Sequence, residues 1–142
     1  MLNKRYICSV KNPFEQGAVK EFVKIVQEHE KAEFESGTVH AVYSTFSLAK
    51  DAEWSTRLFV LDMKEEDEEG IGTFIEVNHH APALIGTEIC FRAYLMEVNN
   101  HEVICRFEAY AGERMIASGR TGQKVLKKEK VFRLLEAVKE AK

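Results

Sequence analysis

The first half of the chain carries apolar residues at helical spacing in two segments. The earlier segment predicts a helix over about residues 14–33, from the apolar positions Val19, Phe22, Val23 and Val26. The later one predicts a helix with one side formed by Phe46, Ala49, Ala52, Thr56 and Phe59. Ser44 or Thr45 is its expected N-cap, because a hydroxyl accepts a hydrogen bond from a free backbone N–H of the first turn. Residues 4–10, KRYICSV, predict a short strand ahead of both helices.

From residue 71 onward the hydrophobic period changes to two, which is typical of strands. In the first strand one face is formed by the odd positions Ile71, Thr73, Ile75, Val77, His79 and Ala81. Strands over 87–99, 103–110 and 115–128 follow, with turns at VNNHEV and AGER. Two glycines in the last strand indicate bulges or close backbone contact. After the last strand, the sequence predicts an amphipathic helix over residues 130–140.

This order of elements predicts an α+β fold. Long antiparallel strands that follow a helix rich in small residues favour a curved sheet wrapped around that helix. Such an architecture is called a hotdog fold, and here it would carry extra N-terminal and C-terminal helices. We expect residues 1–142 to form one domain, and the bare face of the sheet in so small a chain predicts a homodimer, or a higher oligomer.

Composition and charge exclude several classes of function. The net charge of -3 gives no basic surface for nucleic acid. No apolar run approaches the roughly 20 residues that span a bilayer, so no membrane association is expected. The first residues lack the apolar core of a secretory signal. Cys8, Cys90 and Cys105 are odd in number and have no CxxC spacing, which favours reduced thiols in a cytoplasmic protein over disulfides or a zinc site.

Two adjacent histidines in GTFIEVNHHAPALIG, residues 72–86, are the first candidates for chemistry. The alternation puts His79 on the face that packs on the helix, either as a core-edge imidazole or as a group for proton transfer. It puts His80 on the polar face with Glu76, where a surface role is the simplest interpretation. A metal site made of these three residues is not expected, because adjacent strand residues point to opposite faces. Glu53 interrupts the apolar side of the second helix, either at its edge or held near the core for a purpose.

Longer stretches resemble the fluoroacetyl-CoA thioesterase-like family of hotdog proteins. STFSLAKDAEW has the Thr-x7-Glu-Trp pattern of that family, and GIGTFIEVNHHAPALIG matches its Gly-Thr, strand, His, Ala and closing Gly. The segment from TEICFRAYL to SGRTGQKV is similar to its last three strands, so the resemblance covers about residues 40–130. It implies that Thr45, Glu53 and His79 are catalytic and that Gly72 lies on the oxyanion side.

The resemblance also implies an acyl-CoA substrate, with coenzyme A as part of the substrate and no further cofactor. Arg120, Lys124 and Lys127 are the expected contacts of its phosphates. The chain departs from the family at Gln123, where family members tend to carry Arg, and in the segment before Thr45, which does not follow the lid of the fluoroacetyl enzyme. The acyl group is therefore not predicted.

Thioester hydrolysis needs a nucleophile, a proton acceptor and donors to the developing oxyanion. His79 would be the general base, with Thr45 as the nucleophile or as the residue that positions it. Glu53 would orient His79, or would activate water or attack directly. Eight residues of α-helix rise by roughly 12 Å, so Thr45 and Glu53 reach one imidazole only if the chain folds back before the helix or if two chains share the site. We favour the second arrangement, because family members are homodimers with sites at the interface.

Three other functions remain open from the sequence. A non-catalytic acyl-CoA or small-ligand binding module would keep the pocket without turnover. A hotdog dehydratase or hydratase would use the His and a carboxylate on a 3-hydroxyacyl chain, which the Thr-x7-Glu pattern does not favour. A purely structural partner protein would leave the three matched polar positions unexplained.

Overall fold

The computed structural model describes residues 10–141, so the strand predicted over residues 4–10 and Cys8 lie outside the described part. Within that part the strands are β1 (Val19–Ile25), β2 (Lys31–Phe34), β3 (Gly37–Tyr43), β4 (Glu68–His79), β5 (Glu88–Asn99), β6 (Glu102–Ala111) and β7 (Arg114–Lys127). The α-helices are α1 (Thr45–Met63) and α2 (Lys128–Glu140), and a short 3-10 helix spans Glu28–Glu30. Five strands form one antiparallel sheet in the order β1-β5-β6-β7-β4, and β2 pairs with β3.

Helix α1 lies against one face of the five-stranded sheet, as the hotdog prediction requires. Ser44 is its N-cap, with the side-chain oxygen accepting a hydrogen bond from the Ser47 N–H at 3.1 Å. The face turned to the sheet is buried and consists of Ser47, Leu48, Ala52, Ser55, Thr56, Phe59, Val60 and Met63. The predicted α+β hotdog architecture and the predicted C-terminal helix are both confirmed.

The helix predicted over residues 14–33 is wrong. Val19–Ile25 forms strand β1, which pairs antiparallel with β5 from Val19 opposite Tyr94 to Ile25 opposite Glu88. Burial alternates residue by residue along β1, and Phe22 stacks on Phe91 with ring centroids 6.0 Å apart. The apolar positions fit both the 3.6-residue period of a helix and the two-residue period of a strand. The segment is rich in β-branched valine and isoleucine, and the open edge of β5 supplies backbone partners that a helix would not use.

A bulge in β4 changes which side chains face α1. The register with β7 shifts between Gly72 and Phe74, so Thr73 is an extra residue on this strand. A Cβ atom on Gly70 would lie 2.6 Å from Val60 Cγ1, and one on Gly72 2.9 Å from Glu53 Oε1, so both glycines face α1. The prediction that Ile71 and Thr73 share the inner face is therefore wrong, because the bulge reverses the alternation.

A buried ionic cluster fixes the start of α1, which carries Thr45. Lys24 Nζ of β1 contacts a carboxylate oxygen of Glu30 and lies 2.7 Å from Asp51 Oδ2 of α1. The Tyr43 hydroxyl donates to the same Asp51 oxygen, and the Ser44 N–H donates to the Glu30 carbonyl at 2.9 Å. Burial opposes the charge of Lys24, but the two carboxylates together raise its pKa above the ordinary value. The cluster thus ties β1, the 3-10 helix and the end of β3 to α1.

We expect Lys24→Met to lower the free energy of unfolding by about 3 kcal/mol, because it leaves two carboxylates without their cation. Their side chains are only 10% (Glu30) and 13% (Asp51) exposed. Denaturant unfolding measures the change. Lys31→Met is the matched control, since its partner Glu28 is 71% exposed, and it should cost under about 1 kcal/mol. Equal losses in the two variants would contradict this account.

Strand β4 is the last strand of the five-stranded sheet, so one of its edges has no partner strand in the described chain. This edge strand is 12 residues long, and Phe74 and Ile75 near its centre are 41% and 40% exposed. A long exposed edge with apolar side chains is a template for pairing with another strand. Within residues 10–141, neither helix is both long and apolar enough to cross a membrane.

Candidate active site

Thr45 and His79 are brought together at one end of the sheet. Thr45 is the first residue of α1 and His79 the last of β4, and Thr45 Oγ1 lies 2.9 Å from His79 Nδ1. A hydroxyl that donates to Nδ1 requires the other ring nitrogen, Nε2, to carry the proton. This Nε2 is buried and has no hydrogen-bond partner among the described residues. The pair therefore has the geometry of a hydroxyl activated by an imidazole, with a free N–H donor behind it.

The cleft around this pair has a volume of about 300 Å³ and is lined by Val42, His80, Ala81 and Pro82 besides the two residues themselves. Backbone hydrogen bonds hold its walls, from the Tyr43 N–H to the Ala83 carbonyl at 2.8 Å and from the Ala81 N–H to the Ile116 carbonyl at 3.2 Å. Burial lowers the pKa of His79 below its ordinary value, against the opposing effect of a hydrogen bond with the Ala81 backbone, and the nearby His80 lowers it further. This shift favours the neutral imidazole, which is the form that can accept a proton.

Glu53 lies over Gly72, away from His79. The carboxylate occupies the space that a Cβ atom on Gly72 would need, since its Oε1 is 2.9 Å from that position. Glu53, Gly72 and Ile75 line a second cleft of about 230 Å³ together with Thr73 and Phe74. The Thr121 hydroxyl donates to Thr56 Oγ1 at 2.8 Å, and the Thr56 hydroxyl donates to the Glu53 carbonyl at 2.9 Å. These two hydrogen bonds hold the Glu53 turn of α1 against β7.

The two clefts are separate within one chain. Thr45 and Glu53 are eight residues apart in α1, a rise of roughly 12 Å. Gly72 and His79 are seven residues apart in β4, a rise of roughly 23 Å. Thr45 is itself the first residue of the helix, so the chain does not fold back to bring Glu53 to His79. A single chain thus holds two halves of the predicted site, Thr45 with His79 and Glu53 with Gly72.

Gln123 lies on β7, opposite Gly72 of β4. The residue is only 2% exposed. Its Oε1 lies 3.3 Å from the position of a Cβ atom on Gly70, which places the side chain on the α1 side of the sheet. Its Nε2 is buried without a hydrogen-bond partner. Among residues 10–141, His79 Nε2 and Gln123 Nε2 are the two buried side-chain polar atoms in this condition.

The residues predicted to contact coenzyme A phosphates lie elsewhere. Arg120 is exposed and lies 3.6 Å from Glu76, on the face of the sheet opposite α1. Lys127 pairs with Asp67 at 2.9 Å. Lys124 lines a cavity of about 540 Å³ between β4, β7 and α2. That cavity holds none of the Thr45, Glu53 and His79 side chains, so the smaller clefts are better candidates for the chemistry.

His80 lies where the alternation put it. The side chain is exposed, and its Nε2 is 2.8 Å from Ser118 Oγ on the neighbouring strand β7. Strand β4 ends at His79, and His80 follows it, lining the cleft around Thr45 while its ring contacts Ser118. The sequence therefore answered correctly which histidine faces the helix.

Two features of the site were not found in the sequence. The sequence pattern marks Gln123 only as a departure from the family, although Thr121, Gln123 and Val125 alternate along one strand and all three are buried on the α1 side. That alternation was the available signal. The Lys24, Glu30 and Asp51 cluster had no signal, because its members come from three elements that no local pattern connects.

Known proteins similar to the chain are thioesterases or share their fold. A hypothetical protein from Thermus thermophilus, described as a thioesterase superfamily member, is 36% identical over 91% of this chain and 96% of that one, with a TM-score of 0.86. The fluoroacetyl-CoA thioesterase FlK is 22% identical over 89% of this chain and 98% of its own, with a TM-score of 0.80. A hot-dog-like protein from Thermanaerovibrio acidaminovorans has a TM-score of 0.79 at 17% identity, over 87% of this chain and 92% of that one. A search among curated protein sequences gave no match.

The sequence profile of one family extends over most of the chain. It is the family described as fluoroacetyl-CoA-specific thioesterase, and it matches residues 26–129. The resemblance inferred from the Thr-x7-Glu and Gly-Thr…His motifs is confirmed, and so is the prediction of an enzyme that hydrolyses thioesters. The chain belongs to the fluoroacetyl-CoA-specific thioesterase family.

Proposed function

We propose that the protein is an acyl-CoA thioesterase whose active sites are each built from two chains, with Thr45 and His79 of one chain and Glu53 and Gly72 of the other. The single observation that carries the proposal is the 2.9 Å contact between Thr45 Oγ1 and His79 Nδ1. A hydroxyl and an imidazole at this distance form the nucleophile and base of many acyl-transfer enzymes.

The free edge of β4 supports the two-chain site. Antiparallel pairing of β4 with its copy about an axis near Ile75 and Glu76 puts the His79 end of one strand beside the Gly72 region of the other. Glu53, which lies over Gly72 in its own chain, then approaches His79 of the partner chain. The His79 Nε2 is buried and has no partner among the described residues, so its N–H could donate a hydrogen bond to such a carboxylate.

The proposed reaction begins with attack of Thr45 Oγ1 on the thioester carbonyl carbon while His79 Nδ1 takes the hydroxyl proton. Glu53 from the second chain accepts a hydrogen bond from Nε2–H and stabilises the imidazolium. The Gly72 backbone N–H donates to the tetrahedral oxyanion. The C–S bond then breaks, His79 returns the proton to the coenzyme A thiolate, and the acyl group remains on Thr45.

Water completes the cycle by the same route. His79 removes a proton from the water as it attacks the acyl-Thr45 ester, and the free acid leaves as the threonine hydroxyl is restored. In the competing mechanism Glu53 activates water directly and Thr45 only positions the substrate. The hydrogen bond of Thr45 to the imidazole favours the first route, because a merely positioning hydroxyl has no need of a base.

Arg120, Lys124 and Lys127 stay predicted contacts of the coenzyme A phosphates. Lys124 and Lys130 line the 540 Å³ cavity beside Ile71, near the Gly72 end of β4, and two cations there suit a phosphate-bearing ligand. A cytoplasmic location also stays a prediction. It is supported by the unpaired thiols Cys90 and Cys105, of which Cys105 is buried with its pKa raised to about 12.

Release of free coenzyme A from a panel of short acyl-CoA thioesters tests the proposal. We expect the wild type to turn over at least one thioester. Thr45→Ser keeps the hydroxyl and should stay within about tenfold in kcat/KM, whereas the isosteric Thr45→Val should lose about a hundredfold or more. Turnover in Thr45→Val close to that of the wild type would contradict a threonine nucleophile and favour Glu53. Tight binding of every thioester with no release would contradict the thioesterase.

A further inference from the structure

Thr45 follows a strand that lies outside the five-stranded sheet. Strand β3 pairs with β2 in a separate two-stranded sheet, and an isolated bridge pairs Val42 with Leu84 in the segment after β4. The N-cap Ser44, in an extended conformation, is the one residue between the end of β3 and Thr45. The position of Thr45 therefore depends on the contacts that fix this junction between β3 and α1.

Tyr43, the last residue of β3, holds the junction at two places. Its backbone N–H donates to the Ala83 carbonyl at 2.8 Å, in the segment that follows His79. Its side-chain hydroxyl donates to Asp51 Oδ2, in the second turn of α1. Lys24 Nζ lies 2.7 Å from the same oxygen and holds the acceptor in place. One residue thus connects the helix that begins at Thr45 with the segment that follows His79.

The Tyr43 hydroxyl is a permanent donor with no access to substrate. The residue is 1% exposed, and burial raises the pKa of Tyr43 well above its ordinary value, with the Asp51 carboxylate acting in the same direction. The hydroxyl therefore keeps its proton across the pH range of an enzyme assay. Tyr43 does not line the cleft around Thr45 and His79, so any effect on the reaction must pass through those residues.

We propose that Tyr43 is a positioning residue for thioester hydrolysis, whose hydroxyl, through its bond to Asp51, holds Thr45 within hydrogen-bond distance of His79. The contact that it maintains is the 2.9 Å distance from Thr45 Oγ1 to His79 Nδ1. A nucleophile reacts efficiently only when it is aligned at roughly 3 Å from the atom that it attacks, so a small displacement of Thr45 is costly. This inference rests on the proposed thioesterase site and adds a residue to it.

Tyr43→Phe removes the hydroxyl and keeps the ring. We expect kcat for coenzyme A release to fall about tenfold with KM within about twofold, because the change misplaces the nucleophile without touching bound substrate. Loss of one buried hydrogen bond should lower Tm by only roughly 3 °C, so the variant stays folded in the assay.

Tyr94→Phe is the matched control. Its hydroxyl also donates to a carboxylate, Glu108 at 3.1 Å, but Tyr94 lies on the face of the sheet opposite α1. We expect its kcat to equal that of the wild type. Equal values of kcat in the two variants would overturn the inference.

A double-mutant cycle separates positioning from a general structural role. Thr45→Val already removes the nucleophilic hydroxyl, so adding Tyr43→Phe to it should lower kcat no further. A merely structural Tyr43 would lower kcat by the same factor in both backgrounds, and that result would overturn the inference.

The ¹⁵N signal of His79 Nδ1 tests the positioning without turnover. The Thr45 hydroxyl donates to this nitrogen in the wild type, and Thr45→Val removes the donor. The chemical shift in Tyr43→Phe should therefore move from the wild-type value toward that of Thr45→Val, and in Tyr94→Phe it should not move.

These measurements separate the inference from the proposed function. A wild type that releases no coenzyme A, with the expected shift in Tyr43→Phe, would overturn the thioesterase and support the positioning of Thr45 by Tyr43. Wild-type kcat and an unmoved ¹⁵N signal in Tyr43→Phe would support the thioesterase and overturn the inference.

Discussion

Replacing His79 by alanine is expected to lower kcat/KM for thioester hydrolysis by roughly a thousandfold, the loss that follows removal of a general base from a positioned nucleophile. The Thr45 hydroxyl loses its proton acceptor at Nδ1, and its ordinary acidity is far too low for it to attack unaided. Release of coenzyme A under saturating and limiting substrate measures the change. Most of the loss should appear in kcat, because the proposed role of His79 is to take the reacting proton.

His80→Ala is the matched control, because it removes the neighbouring imidazole, whose Nε2 contacts Ser118 and not the Thr45 hydroxyl. We expect its kcat/KM to stay within about threefold of the wild type, as for an ordinary surface substitution. Equal losses in the two variants would mean that the two histidines act together and that the assignment of the base to His79 is wrong.

The pH dependence of the activity also tests the assignment of His79 as the base. The base must be neutral, so wild-type activity should fall as the pH decreases through the pKa of His79. Burial depresses that pKa, and this moves the acid limb to lower pH than for an exposed histidine. A carboxylate from the partner chain acts in the opposite direction. The residual activity of His79→Ala should lack this limb.

Two inactive variants are expected to restore activity when their chains are mixed. In the two-chain site, a dimer of one Glu53→Ala chain and one His79→Ala chain has one intact site, with His79 from the first and Glu53 from the second. After unfolding and refolding together at equal concentration, about half of the dimers are mixed and carry one working site of two, so about a quarter of wild-type activity should return.

The mixture of Thr45→Ala with His79→Ala is the control for this experiment. Both residues belong to the same half of the site, so no mixed dimer has a complete one and no activity should return. Failure of the Glu53→Ala and His79→Ala mixture, with dimers present by light scattering, would overturn the shared site. Recovery in both mixtures would mean that the Thr45 and His79 of one site come from different chains.

The parts of the fold that depend on local sequence were predictable. Helix α1 and its cap at Ser44 follow from a side chain that bonds to its own first turn and from apolar positions every three or four residues. Strands β5, β6 and β7 follow from alternation over ten or more residues, and the turn at Asn100, with φ of 59°, follows from its asparagines. In each of these cases the residues that decide the conformation are neighbours in sequence.

The first strand shows where local pattern fails. The apolar positions of Val19–Ile25 fit a helix and a strand about equally, and the pairing with β5 decided between them. That pairing joins residues about 70 positions apart, such as Val19 with Tyr94. The bulge at Thr73 is of the same kind, since it exists only in the register between β4 and β7.

The sequence by itself determined the family, the central helix, the run of antiparallel strands and the identity of the histidine that faces the helix. Only the tertiary structure decided that Thr45 reaches His79 while Glu53 lies over Gly72, and that Gln123 is buried beside them with a free donor. Periodicity along a chain tells which face a side chain occupies. Which side chains come into contact depends on how α1 packs across the sheet, because the rise per residue is about 1.5 Å in a helix and about 3.3 Å in a strand.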